Sequence, residues 1–216
     1  IKSGLLLTLF HFLIFAVAGT MLAEFYFQIS TDNLAVAKDG IIYTKIIFIG
    51  SLGLFVESIC TKILQARGNM VIPMIAQITG SLLNIILDLF LIFGLTGFPE
   101  LGIAGAAIAT VIGQWAAMFI TLIAVIRKYS LRGRFQISVC KQIYQNGIGS
   151  IVTQSLFTLY IVGLNMILKG FTEDAVTVLG IYYKIQSFFF IPLLGFQQVL
   201  LLLISYNYGA GKISRT

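Results

Sequence analysis

Charge is what this sequence has least of. Only 10% of its 216 residues are Asp, Glu, Lys or Arg, where an ordinary soluble domain carries about a quarter, and that deficit excludes a solvated globular fold. Histidine occurs once, cysteine twice and proline three times. A single histidine leaves no basis for a His/Cys metal cluster or for a nucleophile–histidine–acid set, so no catalytic residues are expected and the chain does not read as an enzyme. A glycine-rich phosphate loop is also missing: Gly209-Ala210-Gly211-Lys212 is too short and lacks the required spacing. ATP hydrolysis is not expected of this chain, and no cofactor is implied. Cys60 lies in an apolar stretch and Cys140 in a basic loop, which reads as two reduced thiols and no disulfide framework.

Apolar residues fill the space that charge leaves. They make up 58% of the chain, and the mean hydropathy is +0.99. The apolar runs reach about 20 residues, the length of a membrane-crossing helix and not of an alternating barrel strand of about 9–11. The expected fold is therefore all-α, a polytopic transmembrane bundle. Six spans are predicted, near 5–29, 41–64, 73–93, 103–126, 147–168 and 175–204. The last is long enough to tilt strongly or to extend beyond the membrane.

The net charge of +6 does not point to nucleic acid, because the basic residues gather in alternate loops. Asp32, Asp39, Glu100, Glu173 and Asp174 follow the odd-numbered spans, with Lys38 and Lys169 among few cations. Lys2, Lys62, Arg67, Arg127, Lys128, Arg132, Arg134, Lys141, Lys212 and Arg215 fall on the other side. The positive-inside rule places that side in the cytoplasm, giving a multi-pass protein of the cytoplasmic membrane whose first span runs outward. The polar opening Ile1-Lys2-Ser3-Gly4 and the unclosed tail suggest an internal piece of a longer chain. The longest connection, 127–142, is the candidate join between two bundles, or else an ordinary loop anchored at lipid headgroups.

Asp88 is the residue least expected in such a chain. It sits within Leu82-Leu83-Asn84-Ile85-Ile86-Leu87-Asp88-Leu89-Phe90-Leu91, where a carboxylate costs up to roughly 2.5–3.5 kcal/mol on insertion scales and marks an ion or substrate path. Asn84 lies one helical turn earlier on the same face, which continues back through Gly80 and Ala76. At 1.5 Å per residue Asp88 is roughly 8 Å below the outer end of the third span, and Thr110 roughly 10 Å below that of the fourth. A carboxylate, an amide carbonyl and a hydroxyl can thus converge on one point, the oxygen donors that a hard cation such as Na⁺ prefers. A proton would serve equally. Thr110 can alternatively bond its own helix backbone, and Asn84 can simply join helices. Gly105, Ala109 and Gly113 form a small-xxx-small row for a neighbouring helix, with Ala106, Thr110 and Gln114 on the next row.

Other polar residues carry weaker signals. Glu57 lies deeper than Asp88 and reads as a secondary acid or as a partner of Lys62 by snorkelling. His11 reads as a packing residue. Gln114, Gln154, Asn165, Gln197 and Gln198 either line an aqueous cavity or knit helices together. Phe188-Phe189-Phe190 suits lipid or core. Pro73 sits at a helix start, and Pro192 should kink the sixth span.

Several of these stretches resemble one family. Leu64-Gln65-Ala66-Arg67-Gly68-Asn69, Pro73-Met74, Asn84-Ile85-Ile86-Leu87-Asp88 and Leu101-Gly102-Ile103-Ala104-Gly105-Ala106-Ala107-Ile108-Ala109-Thr110 are similar to segments of the MATE (multidrug and toxic compound extrusion) transporters. Ile204-Ser205-Tyr206-Asn207-Tyr208-Gly209-Ala210 resembles the end of that family's second helix, repeated in its C-terminal lobe. The resemblance implies a twelve-helix, two-lobe transporter, of which this chain would be helices three to eight. Residues 1–126 would be the second part of the N-lobe, 127–142 the cytoplasmic inter-lobe linker, and 143–216 the start of the C-lobe. It implies export of drugs or organic cations in exchange for Na⁺ or H⁺, a lipid-embedded monomer at full length, and a cation site at Asp88, Asn84 and Thr110. The aspartate that completes this site in the family, on the first helix, has no counterpart here, and Leu202 stands where the family usually has proline. A flippase for lipids or lipid-linked glycans on the same architecture, and a non-transporting membrane scaffold, are the alternative readings.

Overall fold

A computed structural model describes residues 1–31, 33–97, 99–129, 135–170 and 173–212. Asp32, Arg132, Arg134 and Arg215 of the charge asymmetry, and residues 130–134 of the expected linker, lie outside the described residues. Those described form seven α-helices: α1 Lys2–Ser30, α2 Leu34–Gly50, α3 Leu52–Ala66, α4 Val71–Phe93, α5 Gly102–Lys128, α6 Ile137–Lys169 and α7 Glu173–Gly209. Five are long and apolar enough to cross a membrane, and α2 with α3 can form a sixth, bent span. The all-α membrane bundle expected from the sequence is therefore what the chain forms. It divides into two compact units, Ile1–Cys140 and Lys141–Thr216.

In the first unit α5 is the hub, packed against α2, α3 and α4, while α1 packs on α2 and α3. Small residues make this possible. A Cβ on Gly113 would stand 2.6 Å from the Gly80 carbonyl oxygen, and one on Gly80 would stand 2.7 Å from that of Gly113. Gly105 meets the Leu91 carbonyl in the same way. The row Gly105, Ala109, Gly113 is thus the contact that brings the α4 and α5 backbones together, as expected where lipid supplies no hydrophobic drive between helices. A second layer joins α3 to α5 through Val56, Cys60, Leu64, Met118 and Val125. Cys60 is fully enclosed there, and both cysteines are free thiols.

The helix ends are set by local chemistry. Asn33 Oδ1 accepts from the amides of Ala35 and Val36 at 3.0 and 3.3 Å and starts α2 seven residues before the expected span, an N-cap. Asn69 Oδ1 accepts from the Ile72 amide at 3.2 Å, and Pro73 sits in the first turn of α4, where its missing N–H costs nothing. Gly94 ends α4 in the left-handed conformation, φ 66°. The Arg67 guanidinium lies 5.5 Å from the Tyr129 ring centroid, and the Gln136 amide donates to Ser3 Oγ at 3.2 Å. The start of α1 and the ends of α3 and α5 therefore share one end of the bundle, the end the sequence makes basic.

Two expectations about the spans need correction. The predicted second span, 41–64, is not one helix: it breaks at Ser51, and its halves bend by 46°. A glycine–serine pair suffices for this without proline. The break frees the Gly50 carbonyl, which accepts from the Trp115 indole N–H at 2.9 Å, while Ser51 Oγ bonds the Phe48 carbonyl at 2.8 Å. Replacing Trp115 with Phe leaves that carbonyl unsatisfied, and thermal unfolding of the purified protein should show a loss of about 1–3 kcal/mol. The predicted fifth span begins at 147, but α6 already begins at Ile137, so the end of the expected linker is helical. In α7 the helix continues through Pro192 to Gly209.

Candidate functional site

Four polar residues of α4 fall on one face. Gln77, Ser81, Asn84 and Asp88 follow the i, i+4, i+7, i+11 spacing, which turns every member toward the same side. From Gln77 to Asp88 the row rises roughly 16 Å, about half the hydrocarbon core.

Close approach at Gly80 and Gly113 brings the middle of this row against α5. Asn84 Nδ2 donates to Thr110 Oγ1 at 3.4 Å, and the threonine hydroxyl donates in turn to the Ala106 carbonyl at 2.9 Å. Thr110 therefore does both things the sequence allowed, bonding its own helix and meeting Asn84. Asp88 stands one turn further along the same face. Its side chain is half-buried, and Oδ1 is shut off from solvent with no hydrogen-bond partner among the described residues. An enclosed acceptor without a donor is unusual in a native fold and calls for a ligand or water at that point.

Below Asn84 the helices part into a cleft of about 180 Å³ between α3, α4 and α5. Glu57, Gln77, Ser81, Asn84, Thr110 and Gln114 give it a polar lining, though Asp88 is not part of it. Gln77 and Ser81 are exposed, so the cleft is open along α4, while Glu57 at its floor is only 4% exposed. Glu57 Oε1 accepts from Thr61 Oγ1 at 2.6 Å and from Gln77 Nε2 at 3.0 Å. Gln114 Oε1 is a second enclosed oxygen without a partner among the described residues.

From the sequence Glu57 read as a secondary acid or as a partner of Lys62. The structure shows it held by Thr61 and Gln77, with Lys62 donating to Gln65 Oε1 at 3.2 Å. His11 bonds the Leu7 carbonyl of its own helix at 2.7 Å, as a packing residue would. Gln77 and Ser81 went unremarked in the sequence, although their spacing from Asn84 and Asp88 was legible there.

The second unit has its own cleft, about 630 Å³, between α6 and α7. Tyr160, Tyr182, Tyr183, Gln186 and Phe190 line it. Gln154, Gln197 and Gln198 are exposed and Asn165 is half-buried, all outside this lining. Phe188 and Phe189 are exposed, as suits lipid contact.

The fold and the site define a multi-pass membrane helix bundle with oxygen donors gathered at membrane depth. Residues 1–90 match the MatE family model. The chain is 27% identical over 175 residues to the probable multidrug resistance protein NorM of Thermotoga maritima, covering 79% of this chain and 38% of that protein. It is 27% identical over 178 residues to the multidrug export protein MepA of Staphylococcus saprophyticus, with the same coverage. A probable multidrug resistance protein NorM of Bacillus cereus is 33% identical over 108 residues, 50% of this chain and 23% of that protein. No solved structure matches it. The chain is thus similar to MATE-family proteins, and it spans about 38% of the length of the curated relatives matched along most of it.

Proposed function

We propose that the intact protein is a secondary antiporter of the cytoplasmic membrane, exporting drugs or organic cations in exchange for Na⁺ or H⁺ by alternating access. The observation that carries this reading is the meeting of Asn84 with Thr110 across α4 and α5, one turn from Asp88, whose Oδ1 is enclosed without a partner among the described residues. An amide and a hydroxyl at one level, with a carboxylate one turn away on the same face, supply oxygen donors of the kind a coupling cation needs. The names of the relatives, multidrug resistance and export proteins, supply the substrate class.

Cation binding at Asp88 would favour one arrangement of the bundle and substrate the other. Such coupling works only if the cation binds the two arrangements with different affinity. The test is efflux of a fluorescent organic cation from liposomes holding the intact protein, under an imposed Na⁺ or pH gradient. Efflux should accelerate with one of the two gradients. A rate indifferent to both would sink the reading.

A further inference from the structure

We propose that Glu57 is a second station for the coupling cation, at the floor of the α3–α4–α5 cleft. The inference rests on the antiporter reading and extends it, because it gives the cation a route along α4 beyond Asp88.

Three observations converge on it. First, Glu57 is 4% exposed and, among the described residues, is the one lining residue of its cleft with a formal charge. A carboxylate kept at membrane depth is costly, and its two donors, Thr61 and Gln77, are neutral. Second, Gln114 Oε1 faces the same cleft, enclosed and without a partner among the described residues. Oxygen acceptors in this state are satisfied by water or a cation. Third, the cleft's volume of about 180 Å³ is room for a hydrated monovalent cation, since a water takes about 30 Å³ of liquid volume.

Among the described residues that line the cleft with Glu57, none is a cation. From α4 Glu57 meets the Gln77 amide, and α5 contributes the Gln114 amide and the Thr110 hydroxyl to the same lining. On its own helix Thr61 donates to it, while Lys62 donates to Gln65. From α1 the rings of Phe12 and Phe15 lie against Phe55, two residues before Glu57. Exposed Gln77 and Ser81 open the cleft to entry, and Asn84 at its upper end hands on to Thr110 and toward Asp88. The row from Gln77 to Asn84 covers roughly 10 Å, a distance short enough for two or three waters to bridge.

The test compares wild type, Glu57→Gln, Glu57→Asp and Asp88→Asn in the intact protein. It measures radioactive Na⁺ binding, proton uptake, and efflux of a fluorescent organic cation against Na⁺ concentration and pH. Glutamine keeps the size and can still accept from Gln77, so the fold is preserved while the charge is lost. Glu57→Gln should weaken the apparent affinity for the driving cation about tenfold or more, with the maximal rate largely kept, and Glu57→Asp should recover most of it. Unchanged cation dependence in Glu57→Gln overturns the proposal, and so does a fall in melting temperature with unchanged cation dependence, which assigns Glu57 to packing alone. If Asp88→Asn abolishes coupling while Glu57→Gln behaves as wild type, this inference fails and the antiporter reading stands. If coupling survives Asp88→Asn, the antiporter site itself is misplaced.

Discussion

Asp88→Asn should abolish the Na⁺ or pH dependence of efflux by the intact protein while leaving its thermal stability unchanged or raised. The two halves of this expectation have separate causes. Asn is nearly isosteric with Asp and keeps one carbonyl oxygen, so the packing of α4 is undisturbed. Oδ1 has no hydrogen-bond partner among the described residues, so the substitution removes no bond there. Removing a charge from membrane depth also lifts an insertion cost of up to roughly 2.5–3.5 kcal/mol. Cation binding suffers in proportion to the lost charge. Contacts to a charged group contribute about 1.5–3 kcal/mol each, and this corresponds to an affinity loss of roughly tenfold to a hundredfold or more. A cation bound that weakly no longer separates the two arrangements of the bundle. Efflux by Asp88→Asn should therefore be flat against both gradients, measured in the liposome assay beside a thermal melt. A stable variant with wild-type gradient dependence would remove Asp88 from the mechanism. A strongly destabilised one would make it a structural partner instead.

The second large effect is expected at Gly113. Its position facing Gly80 leaves no space for even one methyl group: a Cβ would lie 2.6 Å from a backbone oxygen and 3.2 Å from Asn84 Cβ. Neither neighbour is the flexible end of a side chain, so Gly113→Ala must push α4 and α5 apart. Overpacking of this kind costs about 1–3 kcal/mol, and more where backbone must move. Separation of the helices also lengthens the Asn84–Thr110 contact, already 3.4 Å. Both stability and cation dependence should fall together, read by melting of the purified protein and by the efflux assay. Gly4→Ala is the control. A Cβ there would sit 3.5 Å from Ile59 Cδ1 in ordinary contact, and alanine gains about 0.5–1 kcal/mol of helix propensity.

Much of the site was legible from residue spacing, because one helix carries most of it. Asn84 and Asp88 share a face by the helical period alone; counting from the span ends put Thr110 level with Asp88, whereas it meets Asn84, one turn away. The Gly105, Ala109, Gly113 row announced the contact that joins the two helices. Glu57 was a different case. Its helix, α3, is the second half of a bent span, and the bend depends on Gly50 finding the Trp115 indole sixty-five residues away. No local pattern shows that an acid on α3 will meet Gln77 on α4. The tyrosine-lined cleft of the second unit went unseen for the same reason, since Tyr160 and Tyr182 belong to different helices.

The sequence by itself determined that the chain forms apolar helices in a membrane, and which residues on each helix face the same way. Both follow from composition and from a period of 3.6, which are local properties. Tertiary structure decided which faces meet, how closely, and which polar atoms are left without partners. Those outcomes depend on backbone approach at two glycines and on a break in one span, and only the assembled bundle fixes them.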